Sequence, residues 1–110
     1  MAKGDHLGEF ELLVLAALLQ LSDQAYGVAV RREIVGKSGR DVAIGSVYKT
    51  FERLKRKGFV ESRLGDPTPV RGGRAKQYFV VTGAGRRALE TSVRTLDRMF
   101  DGLDLGWSST

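Results

Sequence analysis

The sequence contains no cysteine and a single histidine, His6. Without cysteine, the chain has no disulfide, zinc–thiolate site or thiol nucleophile. A lone histidine near one end removes most of the general-base, triad and metal-ligand arrangements that enzymes use. We therefore expect a protein that is not an enzyme and that binds no metal or cofactor.

Long apolar runs are also absent. The longest, from Leu12 to Leu19, is far shorter than the about 20 residues that a membrane-spanning helix needs. The residues near it include Asp5, Glu9 and Glu11, whereas an export signal begins with basic residues. These features predict a cytoplasmic protein that has no membrane partner.

The chain does contain an excess of basic side chains, with 18 Lys and Arg against 13 Asp and Glu in 110 residues. A chain of this length makes one domain. The basic excess lies within residues 40–76, which hold ten basic and four acidic side chains. Such a concentration is typical of a phosphate-binding surface, and a solvated surface with scattered charge is the alternative.

Hydrophobic periodicity predicts four helices, at residues 7–21, 25–37, 46–57 and 83–105. Ser46 is the expected N-cap of the third helix and Thr82 that of the fourth. Residues 41–44 form a short β-prone segment. Residues 59–64 and 76–81 are the expected strands of a hairpin with a long basic tip. This order predicts a mainly α fold with a small β-hairpin, a winged helix-turn-helix followed by a C-terminal helix.

The third helix is amphipathic, with Val47, Phe51 and Leu54 on one face and basic side chains on the other. A helix is about 10–12 Å across, which matches the major groove of DNA, about 12 Å wide. The basic hairpin tip can then reach the adjacent minor groove or the phosphate backbone.

The last predicted helix carries apolar residues at alternating steps of four and three. They are Leu89, Val93, Leu96, Phe100, Leu103 and Trp107. This spacing predicts pairing with a second helix, and packing against its own domain is the alternative. The first helix is apolar on nearly every side and can add to the contact. We expect a homodimer, with residues 1–82 as the DNA-binding domain and residues 83–110 as the dimerisation helix and tail.

Three stretches carry a resemblance to a known family. Residues 25–28 (AYGV), 45–60 (GSVYKTFERLKRKGFV) and 72–85 (GGRAKQYFVVTGAG) resemble the PadR-like transcriptional regulators, over about residues 7 to 90. The resemblance implies a winged-helix repressor that dimerises through its C-terminal helix, binds promoter DNA and is often released by a small molecule.

The resemblance also assigns roles to individual residues. Tyr48 matches a recognition-helix tyrosine that touches the DNA backbone, Arg53 and Leu54 match an Arg-Leu pair, and Gly72, Gly73 and Arg74 match the wing tip. Val28 departs from the usual tyrosine and Phe51 from the usual leucine. The chain ends after one C-terminal helix, as in the short branch of the family. In some relatives an aromatic residue on that helix stacks a flat ligand, so Trp107 is a candidate ligand contact, with a packed or exposed terminal residue as the alternative.

Two sets of candidate site residues follow. The expected DNA contacts are Ser46, Tyr48, Lys49, Arg53, Arg56, Arg71, Arg74 and Lys76. The expected dimer contacts are Leu89, Val93, Leu96, Phe100 and Leu103. Arginine makes bidentate contacts to guanine, so Arg53 and Arg56 are the better base readers, although Arg53 could instead pair with Glu52 or Asp41.

The function predicted from the sequence is a sequence-specific DNA-binding regulator, a repressor that binds a pseudo-palindromic promoter site as a homodimer. The alternative is a winged-helix interaction module whose basic face binds an acidic protein. A metal-dependent nuclease would need clustered carboxylates, whereas Glu52 and Glu61 stand alone among basic residues.

Overall fold

The computed structural model describes residues 6–65 and 76–104. Its elements are α1 (Glu9–Leu21), α2 (Gly27–Ser38), α3 (Ile44–Arg56), β1 (Val60–Leu64), β2 (Gln77–Val81) and α4 (Gly83–Phe100). A short 3₁₀ turn, Ser22–Gln24, joins α1 to α2. The predicted fold class, mainly α with one β-hairpin, is confirmed. Within the described ranges no helix combines the length and the apolar character that crossing a membrane needs.

Helix α1 is the central element of the core, because it packs against α2, α3, β2 and α4. The largest side chains that are fully buried come from the first three helices: Val14, Leu15, Val30, Val47, Thr50, Phe51 and Leu54. Burial of each large apolar side chain contributes about 1.5–3 kcal/mol. The core therefore fixes α3 through one face and leaves its other face to solvent.

The hairpin is attached to the helices at two places. Its strands pair antiparallel, from Val60 opposite Val81 to Leu64 opposite Gln77. Phe79 of β2 stacks on Phe51 of α3, with ring centroids 3.8 Å apart. The Phe79 amide also donates to the carbonyl oxygen of Ala25, just before α2. These contacts set the direction in which the hairpin leaves the helices.

Thr82 caps α4, as predicted, because its hydroxyl accepts a hydrogen bond from the Gly85 amide at 3.0 Å. The same hydroxyl donates to the Gly58 carbonyl at 2.7 Å. A Cβ on Gly85 would stand 2.2 Å from the Phe59 carbonyl oxygen, so only glycine allows this close approach. The first turn of α4 is thereby fixed against the end of α3.

Two local predictions are wrong. Residues 41–43 form no strand, and α3 begins at Ile44 with Ala43 as its N-cap, so Ser46 lies inside the first turn. The apolar residues of segment 41–44, which predicted a strand, serve another purpose. Val42 is buried in the core as a single anchor, and its carbonyl oxygen accepts a hydrogen bond from Arg31 Nε at 2.5 Å.

Helix α4 is shorter than predicted. It ends at Phe100 rather than near residue 105, and Gly102 adopts a positive φ of 79° in the turn that follows. Leu103 consequently lies beyond the helix. Trp107, the candidate ligand contact, lies outside the described residues.

Candidate nucleic-acid interface

The exposed face of α3 is the centre of the candidate interface. Val47, Thr50, Phe51 and Leu54 form its buried side. With about 100° between successive residues, the opposite side carries Gly45, Lys49, Glu52 and Arg56. All four are exposed. The middle of this face thus has two cations, one carboxylate and a glycine that lets other groups approach the helix closely.

Tyr48 lies at the edge between α3 and α2. Its ring packs edge-on against Phe51, with centroids 5.7 Å apart, and its hydroxyl end fills the space beside Gly27. A Cβ on Gly27 would be 2.4 Å from the Tyr48 hydroxyl oxygen. The ring is therefore held on one side by packing while 41% of the residue stays exposed.

Arg53 lies on the opposite flank of α3, towards the start of α1. Its Nη2 donates to Thr50 Oγ1 at 3.4 Å, and its Nε is 3.9 Å from Glu11 Oε2. Its predicted competitors were Glu52 and Asp41, but the carboxylate beside it is that of Glu11. Both contacts are long, and 52% of the Arg53 side chain is exposed.

Glu11 and Lys57 form a contact that the sequence patterns do not reveal. Lys57 Nζ donates to both Glu11 carboxylate oxygens, at 3.0 and 2.9 Å, and the Gly8 amide donates to Oε1 at 2.8 Å. Glu11 sits near the positive end of α1 and Lys57 near the negative end of α3, which favours both charges. The only signal in the sequence is an acidic residue at the third position of a helix that follows Gly8.

An open groove of about 590 Å³ runs between the start of α1, the α2–α3 connection and α3. Its lining combines three cations, one carboxylate, two hydroxyls and three apolar side chains: Arg40, Lys49, Arg53, Asp41, Ser46, Thr50, Phe10, Val42 and Ala43. Arg40 also pairs with Glu9. The groove therefore brings Ser46, Lys49 and Arg53, three of the predicted DNA contacts, to one surface.

Lys76 lies at the base of the hairpin. Its Nζ stands 4.2 Å from the centroid of the Tyr26 ring, a cation–π contact, and Tyr26 meets Tyr78 edge-on. Lys76 is exposed and extends the basic surface towards the hairpin tip. Arg71 and Arg74, the predicted contacts of that tip, lie outside the described residues.

The predicted dimer contacts divide into two groups. Leu89 packs against the core of its own domain. The other four are exposed: Val93, Leu96, Phe100 and Leu103. Leu96 also borders an apolar groove of about 450 Å³ between α4 and the start of α1. The C-terminal half of α4, with Leu103 just beyond its end, therefore presents an uncovered apolar stripe.

Comparison with known proteins shows to which family this chain belongs. The model of the transcriptional regulator PadR-like family matches residues 14–91, more than two thirds of the chain. The protein belongs to the PadR-like family. PadR-like proteins are transcriptional regulators rather than enzymes. The resemblance carried by the three sequence stretches is thereby confirmed.

Solved structures of PadR regulators share the fold. A PadR family transcription regulator from Clostridium difficile R20291 is 20% identical, with a TM-score of 0.64 over 86% of this chain and 100% of that one. A PadR family regulator from Eggerthella lenta is 24% identical, with a TM-score of 0.65 over 86% and 81% of the two chains. An uncharacterised protein, protein X from Lysinibacillus sphaericus, is 25% identical over 89% of this chain and 87% of its own. The winged helix-turn-helix architecture is confirmed.

Proposed function

We propose that this PadR-like protein represses transcription by binding a pseudo-palindromic promoter site as a homodimer, in the cytoplasm. The observation that carries the proposal is the cationic solvent face of α3, which is opposite a fully buried stripe. A helix about 10–12 Å wide fits the major groove, which is about 12 Å wide. A bound dimer would then exclude other proteins from the promoter.

The exposed cations differ in the contact that suits them. Arg56 lies near the middle of the exposed α3 face, so it is the proposed base reader, since arginine binds guanine O6 and N7 in a bidentate manner. Lys49 and Arg53 border the groove beside α3 and are the proposed phosphate contacts. Tyr48 and Ser46 can donate hydroxyl hydrogen bonds to the backbone. Lys76, together with Arg71 and Arg74 of the hairpin tip, would contact the phosphate backbone of the neighbouring DNA.

A homodimer is proposed because α4 exposes an apolar stripe that its own domain leaves uncovered. Leu96 is 40% exposed and Phe100 is 60% exposed. Pairing of two such stripes, with help from α1 across the adjoining groove, would remove them from water. Residues 83–110 would then form the dimer contact and residues 1–82 the DNA-binding domain. A two-fold dimer reads two inverted half-sites about 34–36 Å apart, one turn of DNA.

Selection from a pool of random duplexes tests this proposal. The wild-type protein is expected to enrich an inverted repeat with half-sites about 10 base pairs apart, centre to centre. The double variant Lys49→Ala/Arg56→Ala should enrich nothing, while Lys37→Ala, which removes a cation on α2, should select the same repeat. Enrichment of a single, non-repeated site would contradict the dimer. Failure of the wild type to enrich any sequence would contradict the proposed function.

A further inference from the structure

A buried ion pair connects the start of α1 to the end of α3, beside the proposed DNA surface. The Glu11 side chain is only 7% exposed and that of Lys57 is 24% exposed. Lys57 Nζ donates to both Glu11 oxygens and to the His6 carbonyl oxygen, at 2.9–3.0 Å. An ammonium group has three donors, so these bonds engage its full capacity. Lys57 is therefore a poor candidate for binding a phosphate.

Arg53 shares the same carboxylate but is held much more loosely. Its Nε is 3.9 Å from Glu11 Oε2, beyond hydrogen-bond distance, and its contact with Thr50 is 3.4 Å long. Half of its side chain is exposed, next to the groove that contains Lys49. A guanidinium carries five N–H donors, so Arg53 can bind a phosphate with little loss of existing bonds.

The net positive charge of α3 explains why the Glu11 carboxylate affects DNA binding. Residues 49–57 contain five basic side chains and one acidic one. Basic side chains at this spacing repel one another. Their combined positive charge also raises the affinity of the helix for any polyanion, whatever its sequence. The buried carboxylate of Glu11 offsets part of that charge from the side facing α1, away from the middle of the DNA surface.

We propose that Glu11 is a positioning residue that competes with DNA phosphate for Arg53. In the free protein the carboxylate draws Arg53 to the α1 flank of α3. On DNA the guanidinium turns to a backbone phosphate. Because the phosphate contact of Arg53 must overcome this attraction, Glu11 weakens sequence-independent binding, while the correct site compensates through its base contacts. The proposal rests on the proposed DNA-binding function.

The substitution Glu11→Gln tests the competition, because glutamine keeps an oxygen acceptor but removes the charge. Affinity for a shuffled duplex is expected to rise about three- to tenfold near physiological salt, while the slope of log K against log salt stays nearly unchanged, because Arg53 contacts one phosphate in both proteins. Affinity for the selected site should change less, so the specificity ratio falls. A purely structural role would instead weaken binding to both duplexes.

Two controls make the test specific. Glu33→Gln removes the same charge from an ion pair with Lys37 on α2, and it should leave the affinity for the shuffled duplex unchanged. In an Arg53→Ala background, Glu11→Gln should have no further effect on either duplex. An equal effect of Glu33→Gln, or a full effect of Glu11→Gln without Arg53, would overturn the proposal.

The Arg53 Nε–Hε resonance gives a readout that does not depend on the folding of a variant. In the wild-type protein this resonance should shift when duplex is added, because the guanidinium leaves the Glu11 carboxylate. An unchanged resonance at saturating duplex would overturn the inference while leaving the proposed function intact. If the wild-type protein binds no duplex at all, the proposed function and this inference both fail.

Discussion

At the scale of single residues, the cations of the α3 region differ in how much of their charge is free. Lys57 is engaged by Glu11 and by the His6 carbonyl oxygen, whereas Arg53 is only loosely held. Lys49 and Arg56 are exposed on the side of the helix away from the core. The number of basic residues in segment 49–57 is therefore larger than the number of cations that are free to bind a phosphate backbone.

Arg56→Ala should weaken binding to the selected site by about 1–3 kcal/mol, because it removes a bidentate base contact. Its affinity for a shuffled duplex should fall much less. The fold should be unaffected, since surface substitutions usually change stability by less than about 0.5 kcal/mol. Lys37→Ala, on α2, is the matched control and should leave both affinities near the wild-type values. A uniform loss on both duplexes would show that Arg56 contacts phosphate rather than a base.

Gly85→Ala should destabilise the fold by about 1–3 kcal/mol, the usual cost of overpacking. The reason is that a Cβ there meets the Phe59 carbonyl oxygen at 2.2 Å, and backbone yields poorly. Gly36→Ala, inside α2 with open space around it, should instead stabilise the protein by about 0.5–1 kcal/mol. Urea unfolding of both variants measures the contrast. Equal stabilisation by the two substitutions would contradict the close contact between α4 and Phe59.

At the scale of elements, hydrophobic periodicity predicted the features that depend on the spacing of nearby residues. Val47, Phe51 and Leu54 recur at helical intervals, so the buried side of α3 follows from the sequence alone. The segment from Asp41 to Ile44 was predicted wrongly because a single buried anchor, Val42, resembles the apolar alternation of a strand. The end of α4 was misplaced because the apolar spacing continues past Gly102, where the helix has already ended.

Contacts between distant segments could not be predicted in this way. Glu11 and Lys57 are 46 positions apart, and their contact exists only once α1 packs against α3. Nothing in the local sequence distinguishes Lys57 from Lys55, although the structure buries most of one and exposes the other. Which cations are available to DNA is therefore a property of the tertiary structure.

Leu96→Asp should convert the proposed dimer to monomers, because it places a charge in the apolar stripe of α4. Sedimentation velocity measures the change directly. Arg98→Asp, an exposed position on the other side of the same helix, should leave the dimer intact. If Leu96→Asp sediments as the wild type does, the stripe is not the dimer contact.

At the scale of the whole molecule, we propose that residues 1–82 and α4 perform separable tasks. Lys49, Arg56 and Lys76 are exposed in the described part of residues 1–82, and α4 exposes the apolar stripe that would pair two such surfaces. Monomers of Leu96→Asp should keep the fold and the weak, sequence-independent binding. They should lose the tight binding that two linked half-sites provide.

A fluorescence anisotropy titration tests most directly whether the α3 face of a dimer binds specific DNA. The wild-type protein is titrated against the DNA upstream of its own gene and against a shuffled duplex, at 50 and 200 mM salt. We predict preferential binding of the upstream DNA, with a loss of affinity on the order of 10³-fold between the two salt concentrations, as expected for at least six phosphate contacts. Equal, weak and salt-insensitive binding of both duplexes would contradict the claim.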